Sequence, residues 1–441
     1  MPPETPTTAT LARRIATLAG PTFAITILQS AGQLIETVLA ARQGTLALAG
    51  WALVLPFTLL LGQMSAGAMG GGVVSAIARS LGAGRREDAS ALVLHAVLIA
   101  LGIALIFAVA LAGFPRTILG AIGGAEAAGA AAAYAVWYFG AGAVPAWLTN
   151  TLASVLRGGG KHGLAARVTL FAALFQPPLA WLLMEPMGQG LAGLGMAFAL
   201  CQWVAALAMI TVVAHGGAGF VPSLRVMPRA ALFGRILSVG AVACAMASVA
   251  NLITILVTAQ IAGYGPAAVA AYGISARQEF LMVPLAFGVG SALTALVGRA
   301  VGQGDWATAR RTAWVGGGAA FVFCAGFGAA VGIFPHGFAG FFTSDPAVVA
   351  LAAQALGYIG PAFGGFGLGM CLYFATMGTG RMLWPAVAGL TRMGIAVGGG
   401  ALLAGPLGFG LDGQFVAMAL GITAFGALIA ASVRPAVWRS R

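Results

Sequence analysis

The chain has 441 residues, of which 60% are hydrophobic and only 7% charged, with a mean hydropathy of +0.97. That balance excludes an ordinary soluble domain, where roughly 25% of residues are charged. The net charge of +12 does not point to nucleic acid either, because the basic residues are scattered among short loops instead of forming a phosphate-binding face. Apolar runs near the roughly 20 residues that cross a bilayer recur from end to end. They predict twelve spans, at 15–41, 46–74, 89–113, 130–154, 165–184, 190–213, 236–262, 267–297, 312–334, 348–374, 383–404 and 410–433. The expected class is an all-α integral membrane protein.

Residues 1–14 have no cleaved-leader pattern, since the apolar run that follows is too long for one and lacks a small-residue cleavage site. That first run carries Thr22, Thr26, Gln29, Gln33 and Glu36, spaced 4, 3, 4 and 3, which makes one polar stripe on a helix. A stripe ending in a carboxylate cannot face lipid, so Glu36, with Gln33 and Gln29, is the candidate ion site. Pro21 below it predicts a bend. The competing reading places Glu36 near the outer end, reaching for water.

Further along, Tyr138 and Phe139 on the fourth run, Met282 on the eighth, and Tyr358 and Phe363 on the tenth are candidates for a drug-binding wall or for plain packing. Gln176 precedes Pro177-Pro178, where a side-chain amide can satisfy a kinked helix or line a cavity. Asn251 belongs to a polar run with Ser248, Thr254 and Thr258, read either as helix–helix hydrogen bonding or as cavity lining. Arg277 and Glu279 on the eighth run and Arg392 on the eleventh are intramembrane charges that need partners. An Arg392–Glu279 or an Arg277–Glu279 bridge is expected, serving structure or gating. Cys201, Cys244, Cys324 and Cys371 sit singly in apolar runs and have no metal-ligand spacing.

With the N-terminus inside, 18 of the 22 basic residues, Arg441 among them, fall at cytoplasmic ends. Outside loops keep only Arg42 and Arg116. This places the chain in a cell's inner membrane with both termini cytoplasmic.

Shifting the sequence by 220 positions superposes its punctuation. Arg79 meets Arg299, Phe114-Pro115 meets Phe334-Pro335, Tyr138 meets Tyr358, and Pro186 through Gly193 meets Pro406 through Gly413. The chain therefore reads as two six-helix lobes, 1–220 and 221–441, joined by the polar segment 215–228. Six spans per lobe is an even number, so the repeat is parallel and implies a central cleft worked by alternating access.

The segments V-S-A-I-A-R-S-L-G-A-G at 74–84 and L-V-G-R-A-V-G-Q-G at 296–304 carry a family likeness, together with Glu36-Thr37, Leu156-Arg157-Gly158, Leu390-Thr391-Arg392 and Arg277-Gln278-Glu279. In order and spacing they resemble the bacterial branch of the multidrug and toxic compound extrusion (MATE) family over roughly residues 11–433. The resemblance implies a secondary antiporter, expected to act as a monomer, that exports organic cations and amphipathic drugs in exchange for H⁺ or Na⁺. It also implies coupling through the acid on the first helix, here Glu36 where relatives usually carry Asp, with Na⁺ near Glu36 as the other ion. Sodium-binding relatives use acids on the seventh and tenth helices. This chain has Asn251 at about the first place and no carboxylate at 357–374, which favours protons.

A lipid-linked oligosaccharide flippase of the same superfold is the alternative. It requires a cationic cavity, for which Arg277 and Arg392 are the available residues. An intramembrane enzyme would need clustered His, Ser or metal ligands, and the four His are scattered. No phosphate-binding loop sequence is present, so ATP and other cofactors are not expected to take part.

Overall fold

The computed structural model describes residues 7–223 and 225–439. Arg441 and the first six residues, which entered the charge and leader arguments, lie outside the described residues. Eleven described helices are long and apolar enough to cross a membrane, and one bent pair makes a twelfth. They are α1 (Thr8–Arg42), α2 (Thr45–Gly82), α3 (Arg86–Gly113), α4 (Gly124–Ala141 with Ala143–Gly158), α5 (His162–Met184) and α6 (Gly190–Ala214). The second series is α7 (Ala230–Ala262), α8 (Pro266–Gly302), α9 (Trp306–Ile333), α10 (Pro346–Thr379), α11 (Leu383–Ala404) and α12 (Gly410–Ser432). Each covers one of the twelve apolar runs, and there is no strand among the described residues. A bilayer gives unpaired backbone groups no partner, which is why helices that satisfy their own backbone are the form such runs take.

The helices build two compact units. One is Gly20–Cys244; the other begins at Ala245 and includes the residues before Gly20. These units are not the same partition as the sequence halves. α1 and α7 are 35 and 33 residues long, well beyond one bilayer crossing, and the opening stretch of each packs with the other repeat's helices. In the unit that starts at Ala245, Ile15 joins an apolar cluster with Leu293 and Val297, and Arg311 donates to Thr8 at 3.0 Å. In the Gly20–Cys244 unit, Arg235 pairs with Asp88 at 2.7 Å and the Arg229 N–H donates to His95 at 2.9 Å. There α2 and α7 come so close that a Cβ on Gly72 would lie 2.8 Å from the Gly240 nitrogen. Only glycine permits that approach.

The helical ladder is interrupted at corresponding places by different means. π-Helical turns occupy Gln63–Met69 in α2 and Gly394–Gly399 in α11. One repeat length away lie Pro284 inside α8 and Pro177-Pro178 inside α5. Both devices break i→i−4 bonding and free backbone groups at mid-helix. A third π-turn, Val136–Ala141, bends α4 by 47°.

Each repeat also ends in a short strap. Ser90 donates to the Val221 carbonyl at 2.5 Å, and Ala218 is buried against Gly159. In the second repeat, Arg310 donates to the Trp438 carbonyl at 2.6 Å, and Arg381 to those of Val437 and Arg439 at 2.6 and 2.9 Å. Trp438 is only 1% exposed. Ser90 and Arg310, like Ala218 and Trp438, are 220 positions apart, so the inter-repeat linker and the C-terminal tail are the same element of the repeat.

Candidate functional site

In the Gly20–Cys244 unit, Glu36 is 9% exposed and accepts a hydrogen bond from the Gln176 side-chain amide across 140 residues of chain. Pro177 and Pro178 follow Gln176 inside α5. Tyr134 and Tyr138, one turn apart on α4, are buried within electrostatic reach of Glu36, and Thr58 of α2 lies beside the Tyr138 hydroxyl. Tyr138 is clamped by Phe198, their rings parallel within 10° and 3.8 Å apart. Six residues beyond Glu36, Arg42 pairs with Glu185 at 3.2 Å, and Trp181 also donates to Glu185 at 3.0 Å. The upper part of α1 is thus fastened to α5 at two levels.

Gln29 and Gln33 do not join this pocket; both are exposed. Thr22 is buried and Thr26 half-buried, the latter donating to its own helix. At about 100° per residue, Gln33 and Glu36 are roughly 60° apart around α1. Gln29 is only about 20° from Glu36 around the helix but two turns away along it. What separates the acid from both exposed glutamines is therefore the neighbour it meets, Gln176 of α5.

In the other unit, Arg392 of α11 donates to Glu279 of α8 at 2.5 Å, with side chains 14% and 20% exposed. The guanidinium also lies over Phe366 at 5.6 Å and Phe425 at 6.0 Å, two cation–π contacts that fix its plane. Of the two bridges expected, this is the one that forms. Arg277 is exposed and makes no ion pair among the described residues. Asn251 is half-buried and donates to the Ala247 carbonyl of its own helix at 2.9 Å, as Thr258 does to Thr254 at 2.7 Å. Tyr358 is 40% exposed, whereas Phe139, Met282 and Phe363 are buried in packing. Among the described residues, no three His, Cys, Asp or Glu side chains converge.

The sequence reading did not single out Tyr134, Thr58, Phe366 or Phe425. Tyr134 had a usable signal, since it lies four residues before Tyr138 and so on the same face. The two phenylalanines had none among 25.

A family model, MatE, matches residues 21–182 and again 241–402. The chain belongs to the MatE family. Its two matches begin and end 220 residues apart, in line with the internal repeat. A Deinococcus radiodurans protein described as a probable multidrug resistance protein NorM is 30% identical to this transporter over 381 residues, covering 81% of this chain and 79% of that one. Among solved structures, a MOP superfamily transporter from Pyrococcus furiosus superposes with a TM-score of 0.90 at 20% identity, covering 97% and 96% of the two chains. The Vibrio cholerae MATE transporter VcmN in its bent form gives 0.88 at 20%, with 98% of each chain covered. At that identity these structures speak for the fold. The family membership makes the chain a multidrug and toxic compound extrusion transporter of the membrane, not an enzyme.

Proposed function

We propose that the transporter exports organic cations and other amphipathic drugs from the cytoplasm in exchange for inward protons, with Glu36 as the coupling acid. The observation that carries this reading is the pairing of a buried carboxylate with a neutral amide. An amide offers both N–H donors and a carbonyl acceptor, so by turning over Gln176 can satisfy Glu36 charged or protonated. The acid can therefore change charge without leaving a buried group unsatisfied in either state. A proton and a cationic drug then compete for one negative site, which suffices for antiport by alternating access.

Protons are favoured over sodium because the seventh helix offers a neutral amide, Asn251, and the tenth helix no carboxylate at 357–374. The flippase alternative is weakened because Arg392 is already matched by Glu279, leaving Arg277 as the one remaining cation of the two it needed. The basic-residue distribution supports an inner-membrane orientation with both termini cytoplasmic.

The test is uptake of a fluorescent cationic dye by everted vesicles under an imposed pH gradient or an imposed sodium gradient, for wild type and Glu36→Gln. The expected result is pH-driven transport that vanishes in the variant while dye binding persists. Transport that follows sodium alone would reassign the ion. If neither gradient moved any of several cations, the drug-export reading would fall, and a lipid-flipping assay centred on Arg277 and Arg392 would follow.

A further inference from the structure

A groove of 530 Å³ opens on the Gly20–Cys244 unit where α3 ends. One wall is Phe114 with the start of the short helix opened by Pro115; the other is Gly129, Val136 and Trp137 of α4. Phe114, Val136 and Trp137 are all substantially exposed, so the groove lies on the perimeter and not in the packed interior. Arg116 and Thr117 stand in the same groove. Among the described residues, Arg116 makes no hydrogen bond, ion pair or ring contact. Glu126, the acid nearest in sequence, is exposed and forms no ion pair with it.

The charge pattern isolates this residue. Arg42 and Arg116 are the two basic residues that break the loop asymmetry. Arg42 is paired with Glu185 at 3.2 Å, which leaves Arg116 as an exposed cation lining an apolar groove without a protein counter-charge among the described residues. The helix that begins at Pro115 has no side-chain cap, so its first free backbone N–H groups add to the local positive character. Tryptophan beside such a cation is the composition of a membrane–water interface.

We propose that this groove holds one anionic phospholipid of the adjoining leaflet, the outer one in the orientation proposed above, with its phosphodiester on Arg116 and an acyl chain along Val136 and Trp137. A free inorganic anion would satisfy Arg116 but leave the apolar walls wet, and a zwitterionic lipid would bring its own cation to the site. An anionic lipid matches both the charge and the walls. The proposal rests on the chain's place in a bilayer and not on its coupling ion. It has a local consequence: the π-turn Val136–Ala141 carries Trp137 into the groove and Tyr138 toward Glu36. A lipid seated there bears on the backbone beside the coupling acid.

The experiment is native mass spectrometry of the full chain released from nanodiscs, comparing phosphatidylglycerol with phosphatidylcholine of the same acyl chains and with free glycerol phosphate as competitor. One phosphatidylglycerol per chain should be retained above the phosphatidylcholine level, and excess glycerol phosphate should not displace it. Arg116→Gln should bring retention down to the phosphatidylcholine level. Gly129→Leu should do the same by filling the groove; a Cβ there meets nothing within 4 Å, so α4 itself is left undisturbed. Arg42→Gln, at the same end, should change nothing. Equal retention of the two lipids, unchanged retention in Arg116→Gln, or displacement by glycerol phosphate would each overturn the proposal.

Discussion

The two repeats each set an intramembrane carboxylate against their fifth helix, buried in the first and half-buried in the second, but they do it from different helices and with different partners. In the first repeat the acid is Glu36 on α1 and its partner Gln176 on α5. In the second it is Glu279 on α8, that repeat's second helix, and its partner is Arg392 on α11. One repeat length away, the positions matching Glu36 and Gln176 are Leu256 and Ala396, and those matching Glu279 and Arg392 are Leu59 and Ala172. The scaffold is duplicated while its polar content is not. An amide serves both protonation states of an acid, whereas a guanidinium has donors only and serves the carboxylate alone. The first repeat therefore has the chemistry of a switch and the second that of a fixed fastening.

The comparison can be broken in four places. Glu36→Gln should reduce pH-driven dye efflux to the leak rate of the vesicles, while Glu279→Gln paired with Arg392→Met should retain transport. If the double variant were as dead as Glu36→Gln, the division of labour would be wrong. Arg392→Met alone strands Glu279 and should cost about 3 kcal/mol, read as an earlier thermal unfolding in detergent that Glu279→Leu largely restores. Gly142 faces the Tyr138 carbonyl and the Phe198 ring, and a Cβ there would lie 2.4 and 2.7 Å from them. Gly142→Ala should therefore cost about 2 kcal/mol by overpacking, whereas its counterpart one repeat on is already Ala362. Gln176→Leu removes one hydrogen bond to the acid, worth about 1.5 kcal/mol, and should slow efflux about tenfold. Gln260 of α7 donates to the Val397 carbonyl of α11 at 3.1 Å, and Gln260→Leu, which removes that amide contact in the second repeat, serves as the control that should leave the rate unchanged.

Local information was readable in the sequence and pairing across the bundle was not. The twelve spans follow from runs of apolar residues, and the duplication from glycines and prolines recurring at one offset, because both signals are carried by neighbouring residues. Glu36 was legible as an intramembrane acid, but its partner lies 140 positions away and Gln176 had a sufficient local explanation in the prolines after it. Glu279 had two arginines to choose from, and helix periodicity does not decide which neighbour a side chain meets. The stripe on α1 was grouped by spacing as if it acted together. Glu36 is covered because α5 brings Gln176 to its level, while Gln29 and Gln33, lower on the same face, stay exposed. Spacing along one helix does not reveal where a neighbouring helix covers it.

The strap between the repeats has a practical consequence for handling the molecule. A polar segment that joins two homologous halves is the usual choice for a tag, a protease site or an inserted domain. Here Ala218 is buried and Val221 is bonded to Ser90, just as the tail's Val437 and Trp438 are pinned to Arg381 and Arg310. An insertion at 218–221 would pull out a seated piece of the first repeat, much as removing residues 437–439 would unseat the second. The turn at Glu185–Gln189 is shorter and looks less inviting, but Met187 and Gly188 are exposed there. Between Met187 and Gly188, leaving Glu185 and its pairing with Arg42 in place, is where foreign sequence should be grafted with least disturbance.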